Sequence, residues 1–146
     1  MNKYYLEFLE ELVYNLREYE DSSWSDWMQK SILLFQQNAD LNYFFRAFGG
    51  MGSFNDNCFS SITTELITIT YEIATSLRDN RQDSILSIMD KEQKKCIYNC
   101  CLKHATEFDQ DCLNYINYLI ENYNSENLHV ITEKYRNDKN MNTLKK

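Results

Sequence analysis

Glycine is confined to one short stretch of this 146-residue chain, where Gly49, Gly50 and Gly52 lie almost side by side, and proline is absent. Glycine adopts positive φ without a steric cost, so it marks places where a backbone turns sharply or approaches another group closely. The sequence on both sides of the stretch has the periodicity of helices. We therefore predict a rigid glycine-rich hinge loop at 49–56 that joins two helical halves.

Apolar residues recur at helical spacing before the loop. The pattern predicts helices over residues 3–20 and 24–37, and a third short helix from Leu41 to Phe48. Ser23 with Asp26 three residues later is typical of a capping box at the start of the second helix. Asp40 is the expected N-cap of the third helix, and Gly49 or Gly50 its left-handed C-terminal residue.

After the loop, β-branched residues are frequent, and propensity alone would permit a strand. The apolar residues nevertheless follow helical spacing from Ile62 to Leu77, so we predict a fourth helix that ends near Arg78. A short helix over 81–89, a break near Asp90 and a long helix over 91–122 follow. The segment 128–136 is predicted as a weak helix, with a short strand as the alternative.

These elements predict an all-α fold. We expect a compact single-domain bundle of six to seven helices over residues 1–136, followed by a frayed polar tail over 137–146. The apolar seam of the long helix is expected to include Phe108, Cys112, Tyr115 and Leu119.

Charge and hydropathy narrow the range of partners. A formal net charge of −7 disfavours binding to nucleic acid and to anionic membranes, and it attracts basic partners. No run of apolar residues is long enough to span a membrane, and the N-terminus lacks an apolar signal core, so a cytoplasmic protein without membrane contact is expected. The five cysteines are odd in number, which favours reduced thiols over a disulfide framework.

Few residues suggest chemistry. Cys96, Cys100 and His104 follow helical spacing on one side of the long helix, but the short loop spacings of structural zinc sites are absent. Glu126 and His129 match half of a di-iron motif, and no second copy exists. We therefore expect no metal, no cofactor and no catalytic residues.

Two sets of polar residues are candidates for binding a partner. Ser53, Asn55 and Asp56 lie in the loop, where turn geometry alone also explains such residues. The second set comprises the acids on one face of the fourth helix, namely Glu65, Glu72 and Asp79. The acidic residues of the first helix are an equal competitor.

The segment 48–56 reads FGGMGSFND, and Trp24 and Trp27 precede it. Over about residues 20–80 the chain resembles a family of small uncharacterised bacterial proteins with a GGMGSFND signature. The resemblance implies no enzymatic activity. It suggests an immunity protein that binds a cognate antibacterial toxin, with a basic nuclease domain as one candidate, and blocks its active site.

Two other functions remain open at this point. One is a small metal- or thiol-dependent enzyme that uses Cys96, Cys100 and His104. The other is an interaction module that has no toxin as its partner.

Overall fold

A computed structural model describes residues 1–49, 52–54, 57–94 and 105–139. These residues form helices and no strand, which confirms the predicted all-α class and rules out the alternative strand at 128–136. In chain order the helices are α1 (Asn2–Glu18), α2 (Trp24–Asn38), α3 (Asn42–Phe45), α4 (Ser61–Arg78), α5 (Ile85–Gln93), α6 (Ala105–Asn122) and α7 (Leu128–Asp138).

Helices α1 and α4 pack against each other at the centre of the bundle. Helix α1 also contacts α2 and α7, whereas α4 also contacts α5 and α6. Both central helices owe this position to an apolar stripe at helical spacing, and every residue of the two stripes is buried. The stripes consist of Tyr5, Phe8, Leu9, Leu12 and Leu16 on α1, and of Ile62, Leu66, Ile69 and Ile73 on α4.

Helix α4 forms in spite of its threonines, which favour strands. The hydroxyls of Thr68, Thr70 and Thr75 donate to the backbone carbonyls four residues earlier, at 2.9, 2.6 and 2.8 Å. A helix accommodates such bonds, and tertiary packing overrides the weak intrinsic preference. The spacing of the apolar residues therefore predicted this segment better than the strand propensity of its individual residues.

The predicted break near Asp90 is wrong, because Asp90 lies inside α5. The helix begins later than predicted, at Ile85, and is capped by Ser84, whose side chain accepts a hydrogen bond from the Ser87 amide at 3.1 Å. It ends at Gln93, so the predicted continuous helix over 91–122 does not extend back to residue 91. The segment 95–104 lies outside the described residues.

Helix α6 buries most of the predicted seam. Cys112, Tyr115 and Leu119 are buried, and Ile116 joins them. Phe108 is only half-buried, since it lies near the beginning of the helix. The helix α7 continues past Arg136 to Asp138, beyond the start of the predicted tail, and residues 140–146 lie outside the described part of the chain.

Residues other than glycine also adopt left-handed backbone in this chain. Gly49 has φ +88° and Gly52 has φ +77°, as the loop prediction requires, whereas Gly50 lies outside the described residues. Ala39 has φ 55° and closes α2, with its amide donating to the Phe35 carbonyl at 2.8 Å. Asp21 and Asn80 adopt φ of 51° and 56° after α1 and α4. The chain therefore turns abruptly at several helix ends without using glycine.

The cysteines differ from one another. Cys58 is disulfide-bonded, so the expectation of reduced thiols is wrong for this residue. Cys112 is a buried free thiol on α6. The remaining three cysteines lie outside the described residues.

None of the described helices is both long enough and apolar enough to cross a membrane.

Reciprocal substitutions at Gly49 and Ala39 test the cost of left-handed backbone. A left-handed conformation costs an L-residue roughly 1–2 kcal/mol, and alanine recovers part of this by restricting the unfolded chain. We expect Gly49→Ala to lower the free energy of unfolding by about 1 kcal/mol, and Ala39→Gly to raise it by about 0.5 kcal/mol. Urea denaturation measures both values. If neither variant shifted the urea midpoint from that of the wild-type chain, the left-handed conformations of Gly49 and Ala39 would be contradicted.

Buried tyrosines predict a loss of stability at high pH. Burial raises the pKa of Tyr5, Tyr115 and Tyr123, and raises the pKa of Tyr135 to about 12. Unfolded tyrosine ionises near pH 10, so the stability that these residues contribute is complete below about pH 10 and is lost as pH rises above it.

An alkaline titration followed by tyrosinate absorbance and far-ultraviolet circular dichroism checks this expectation. The absorbance of these tyrosines should rise together with the loss of helix. Complete tyrosine ionisation while the helices persist would contradict the burial of these hydroxyls.

Candidate functional site: an aromatic groove

Side chains from the start of α2 and from α3 line an open groove of about 420 Å³. Trp24, Trp27 and Tyr43 provide its aromatic walls, and each of them is half-buried. The polar residues of the groove are Ser23, Asp26 and Lys30. A groove that exposes large aromatic surface beside a few polar groups is typical of a binding site.

Hydrogen bonds fix the orientation of the aromatic walls. The rings of Trp27 and Tyr43 are stacked, with centroids 4.3 Å apart and planes 18° apart. The indole Nε1 of Trp27 donates to the Tyr43 carbonyl at 3.0 Å. The Asp40 carboxylate accepts hydrogen bonds from the amides of Asn42 and Tyr43 at 3.2 and 3.3 Å, as a capping side chain does, but the N-cap residue of α3 is Leu41 and not Asp40 as predicted.

Trp24, the other tryptophan of the groove, connects it to the glycine-rich loop. The ring of Trp24 lies 5.4 Å from that of Trp27 and 5.2 Å from that of Phe54. Phe54 is fully buried, and its amide donates to the Ala47 carbonyl at 2.8 Å. Its ring also contacts Phe48, with centroids 5.5 Å apart. The loop thus places an aromatic side chain directly behind the groove.

The start of α2 differs from the prediction in detail. The predicted capping box of Ser23 and Asp26 does not form, because the side chain of Ser23 makes no cap hydrogen bond. Instead the hydroxyl of Ser22 accepts a hydrogen bond from the Trp24 amide at 3.2 Å. The carboxylate of Asp26 is therefore left on the surface of the groove.

The charged side chains in and beside the groove differ in their contacts. Lys30 Nζ lies 5.1 Å from the centroid of the Tyr43 ring, and the guanidinium of Arg46 lies 5.3 Å from the same centroid. Both cations therefore interact with an aromatic face. Asp26 is exposed, and its carboxylate has no hydrogen-bond or ion-pair partner among the described residues.

A carboxylate at the end of α1 holds the beginning of α4. Glu20 Oε2 accepts hydrogen bonds from the Ser60 amide at 3.1 Å and from the hydroxyls of Ser60 and Thr63, both at 2.6 Å. Ser60 is the N-cap residue of α4 but its side chain makes no cap hydrogen bond, so Glu20 performs the cap from a distant part of the chain. This contact joins the two ends of the segment that carries the groove.

Of the three predicted binding residues of the loop, the structure describes Ser53, which does not line the groove. Ser53 is half-buried, and its carbonyl accepts a hydrogen bond from the Asn57 side chain at 3.1 Å. Asn55 and Asp56 lie outside the described residues.

The predicted acidic face of α4 is not an open acidic surface. Glu65 is fully buried, so its predicted contact with a partner at the surface does not hold in this fold. Glu72 lies 3.5 Å from the guanidinium of Arg81, and Asp79 lies 3.1 Å from that of Arg78. The prediction placed these acids from helical periodicity alone, which could not show burial by α6 or pairing with arginines.

A buried polar cluster between α1 and α7 was not predicted. Glu11, whose side chain is 4% exposed, lies 2.8 Å from His129 Nδ1 and accepts a hydrogen bond from the Asn15 side chain at 2.8 Å. Arg136 donates to Asn15, and its guanidinium lies 3.5 Å from the centroid of the Tyr19 ring. Burial raises the pKa of Glu11, and its contacts with His129 and Asn15 oppose that rise.

This cluster attaches α7 to α1. Catalytic sites also use a carboxylate to orient an imidazole. The groups around the Glu11–His129 pair therefore decide whether it could take part in catalysis. The ring of His129 packs edge-on against Tyr14, with centroids 4.6 Å apart. Within the described ranges, no group of three His, Cys, Asp or Glu side chains is arranged to hold a metal ion. Cys96, Cys100 and His104, the predicted alternative site, lie outside those ranges.

The groove was also missed from the sequence, although its signal is visible there. Trp24 and Trp27 are three residues apart, which puts them on the same side of a helix. The position of Tyr43 opposite them depends on the turn between α2 and α3, which was predicted, and on its left-handed conformation at Ala39, which was not.

Residues 17–65 match a domain family described as a domain of unknown function, DUF6966. The matched segment includes the groove, the glycine-rich loop and the Glu20–Ser60 contact. It covers less than half of the chain, so the match is a similarity over this segment. No curated protein and no solved structure matches the chain.

Removal of the Glu20 carboxylate should weaken the junction of α1 with α4. Loss of a helix cap costs roughly 0.5–2 kcal/mol, so we expect Glu20→Ala to lower the free energy of unfolding by about that amount. The exposed Glu10 on α1 offers a matched control, and Glu10→Ala should change the value by less than about 0.5 kcal/mol. Urea denaturation measures both. Identical values for the two variants would show that the Glu20 contact contributes nothing to stability.

Proposed function

We propose that the chain is an immunity protein that binds a cognate antibacterial toxin and neutralises it by covering the active site of the toxin. The observation that carries the proposal is the open groove of Trp24, Trp27 and Tyr43. Tryptophan and tyrosine are enriched among the residues that dominate the energy of protein interfaces. In this proposal the groove is the centre of the docking surface.

The rigidity of the groove supports this function. The stacking of Trp27 on Tyr43 and the hydrogen bond between them fix two of the three aromatic walls before any partner arrives. A preorganised surface loses little conformational entropy on binding, so more of the contact energy contributes to affinity. A tightly binding inhibitor of a toxin requires this property.

Charge supports a basic partner. The formal net charge of −7 would increase the rate at which a basic domain, such as a nuclease, encounters the chain. The ion pairs of Glu72 and Asp79 reduce the contribution of α4 to this attraction. Asp26, an exposed acid that lines the groove, is better placed to meet a basic surface.

The resemblance of segment 48–56 to proteins interpreted as immunity proteins also supports the proposal. In this view Ser53, Asn55 and Asp56 of the loop would also contact the toxin.

Co-expression tests the proposal. The toxin candidate is the C-terminal domain of the product of the neighbouring gene, expressed under an inducible promoter with and without this chain. We expect the wild-type chain to restore growth and to co-purify with the toxin domain. Continued killing in the presence of folded wild-type chain would show that the immunity function is wrong.

Variants locate the contact. Trp24→Ala should abolish protection, because it removes one wall of the groove, whereas Leu33→Ala should retain it. Leu33 is exposed on α2 but does not line the groove, so it is a matched control. Circular dichroism establishes folding of each variant, and Asp26→Arg at an exposed position replaces Trp24→Ala if the latter unfolds. Full protection by both groove variants would place the docking surface elsewhere.

A further inference from the structure

We propose that the aromatic groove is a receptor for an arginine side chain of the protein partner. The inference deepens the proposed function, since it takes the arginine to belong to a docked polypeptide. It rests on two features of the groove: an exposed carboxylate, that of Asp26, which has no hydrogen-bond or ion-pair partner within the described part of the chain, and two half-buried indole rings.

The carboxylate of Asp26 is the first element of the receptor. Its position on α2 is four residues before Lys30, a spacing at which opposite charges commonly pair on a helix. The pair does not form here, because the ammonium of Lys30 lies over the ring of Tyr43. Asp26 therefore keeps its charge available for a cation supplied from outside the chain.

The indole rings are the second element. The rings of Trp24 and Trp27 lie 5.4 Å apart and are inclined by 56°, so they form a bent wall beside Asp26. A guanidinium is planar and weakly hydrated, and it can stack on an aromatic face while it donates hydrogen bonds to a carboxylate. A lysine ammonium, which is a strongly hydrated point charge, gains less from such a wall.

The chain itself shows that its aromatic faces attract cations. The guanidinium of Arg46 already lies over Tyr43, on the far wall of the groove. The same preference at Trp24 and Trp27 would be satisfied by an arginine from the partner. Lys30 and Arg46 disfavour a second cation over the Tyr43 ring, so the indole rings and Asp26 are the better position for the guanidinium.

Tryptophan fluorescence provides a direct test, because both tryptophans of the chain line the groove. The purified full chain is titrated with the blocked tripeptide acetyl-Gly-Arg-Gly-amide, with its citrulline counterpart and with its lysine counterpart. Citrulline has the shape of arginine without the charge. We expect a saturable change with the arginine peptide, weaker binding of the lysine peptide, and no response to the citrulline peptide.

Three variants decide which groups bind the peptide. Asp26→Asn should weaken binding of the arginine peptide about tenfold or more, because it removes a charge-assisted hydrogen bond. Asp90→Asn, at an exposed position on α5, is the matched control and should leave binding unchanged. Lys30→Ala should leave the affinity unchanged or increase it, because a like charge is removed.

Other outcomes overturn the inference. Equal binding of the citrulline peptide, or equal affinities in Asp26→Asn and Asp90→Asn, would show that the carboxylate does not select a cation. Weaker binding of the arginine peptide in Lys30→Ala would show that Lys30 supports the contact, which contradicts a site where it repels the guanidinium. Tighter binding of free L-arginine than of the blocked peptide would indicate a metabolite site. Because the titration uses no toxin, its result is separate from the co-expression result.

Discussion

The packing of Phe54 connects the parts of the molecule on which binding would depend. This ring is fully buried, and it lies between Trp24 of the groove and the aromatic residues that follow α3. Burial of a phenylalanine at a well-packed site contributes roughly 3–5 kcal/mol, a large part of the net stability of a small domain. The glycine-rich loop can bring Phe54 to this position because Gly49 and Gly52 adopt left-handed backbone. The loop therefore acts on the groove from behind, through packing.

Whether an acidic residue of this chain can attract a partner depends on its position in the fold more than on the net charge. Acids outnumber bases, yet several carboxylates are engaged within the fold: Glu20 caps α4, Glu11 orients His129, and Glu72 and Asp79 pair with arginines. These groups hold helices together or lie close to compensating charge. Asp26 differs, since it is exposed and next to aromatic surface. Asp26 is thus an acid that a partner could use at a defined position, beside aromatic surface.

Local patterns predicted the helices well and predicted the site poorly. Apolar spacing located α1, α2 and α4 because each of these helices buries one continuous stripe in the same core. It placed a false break at Asp90, whereas α5 continues through this residue to Gln93 and buries one face from Ile85 to Glu92. The burial of Glu65 and the pairing of Glu11 with His129 depend on contacts between helices that are distant in sequence. The sequence around a polar residue does not show whether such a contact will form. The left-handed Ala39 gave no signal either, because alanine rarely marks a turn.

The geometry of the groove favours a macromolecular partner over a small molecule. A small ligand gains affinity from a cavity that encloses most of its surface, and this groove is open to solvent along the start of α2 and α3. Its aromatic walls are half-buried, so a ligand the size of one side chain could cover them only in part. A docked protein could cover the groove and its surroundings together, which excludes water from the contact between a guanidinium and Asp26. In that environment a charge-assisted hydrogen bond contributes more to recognition than it does at an exposed surface.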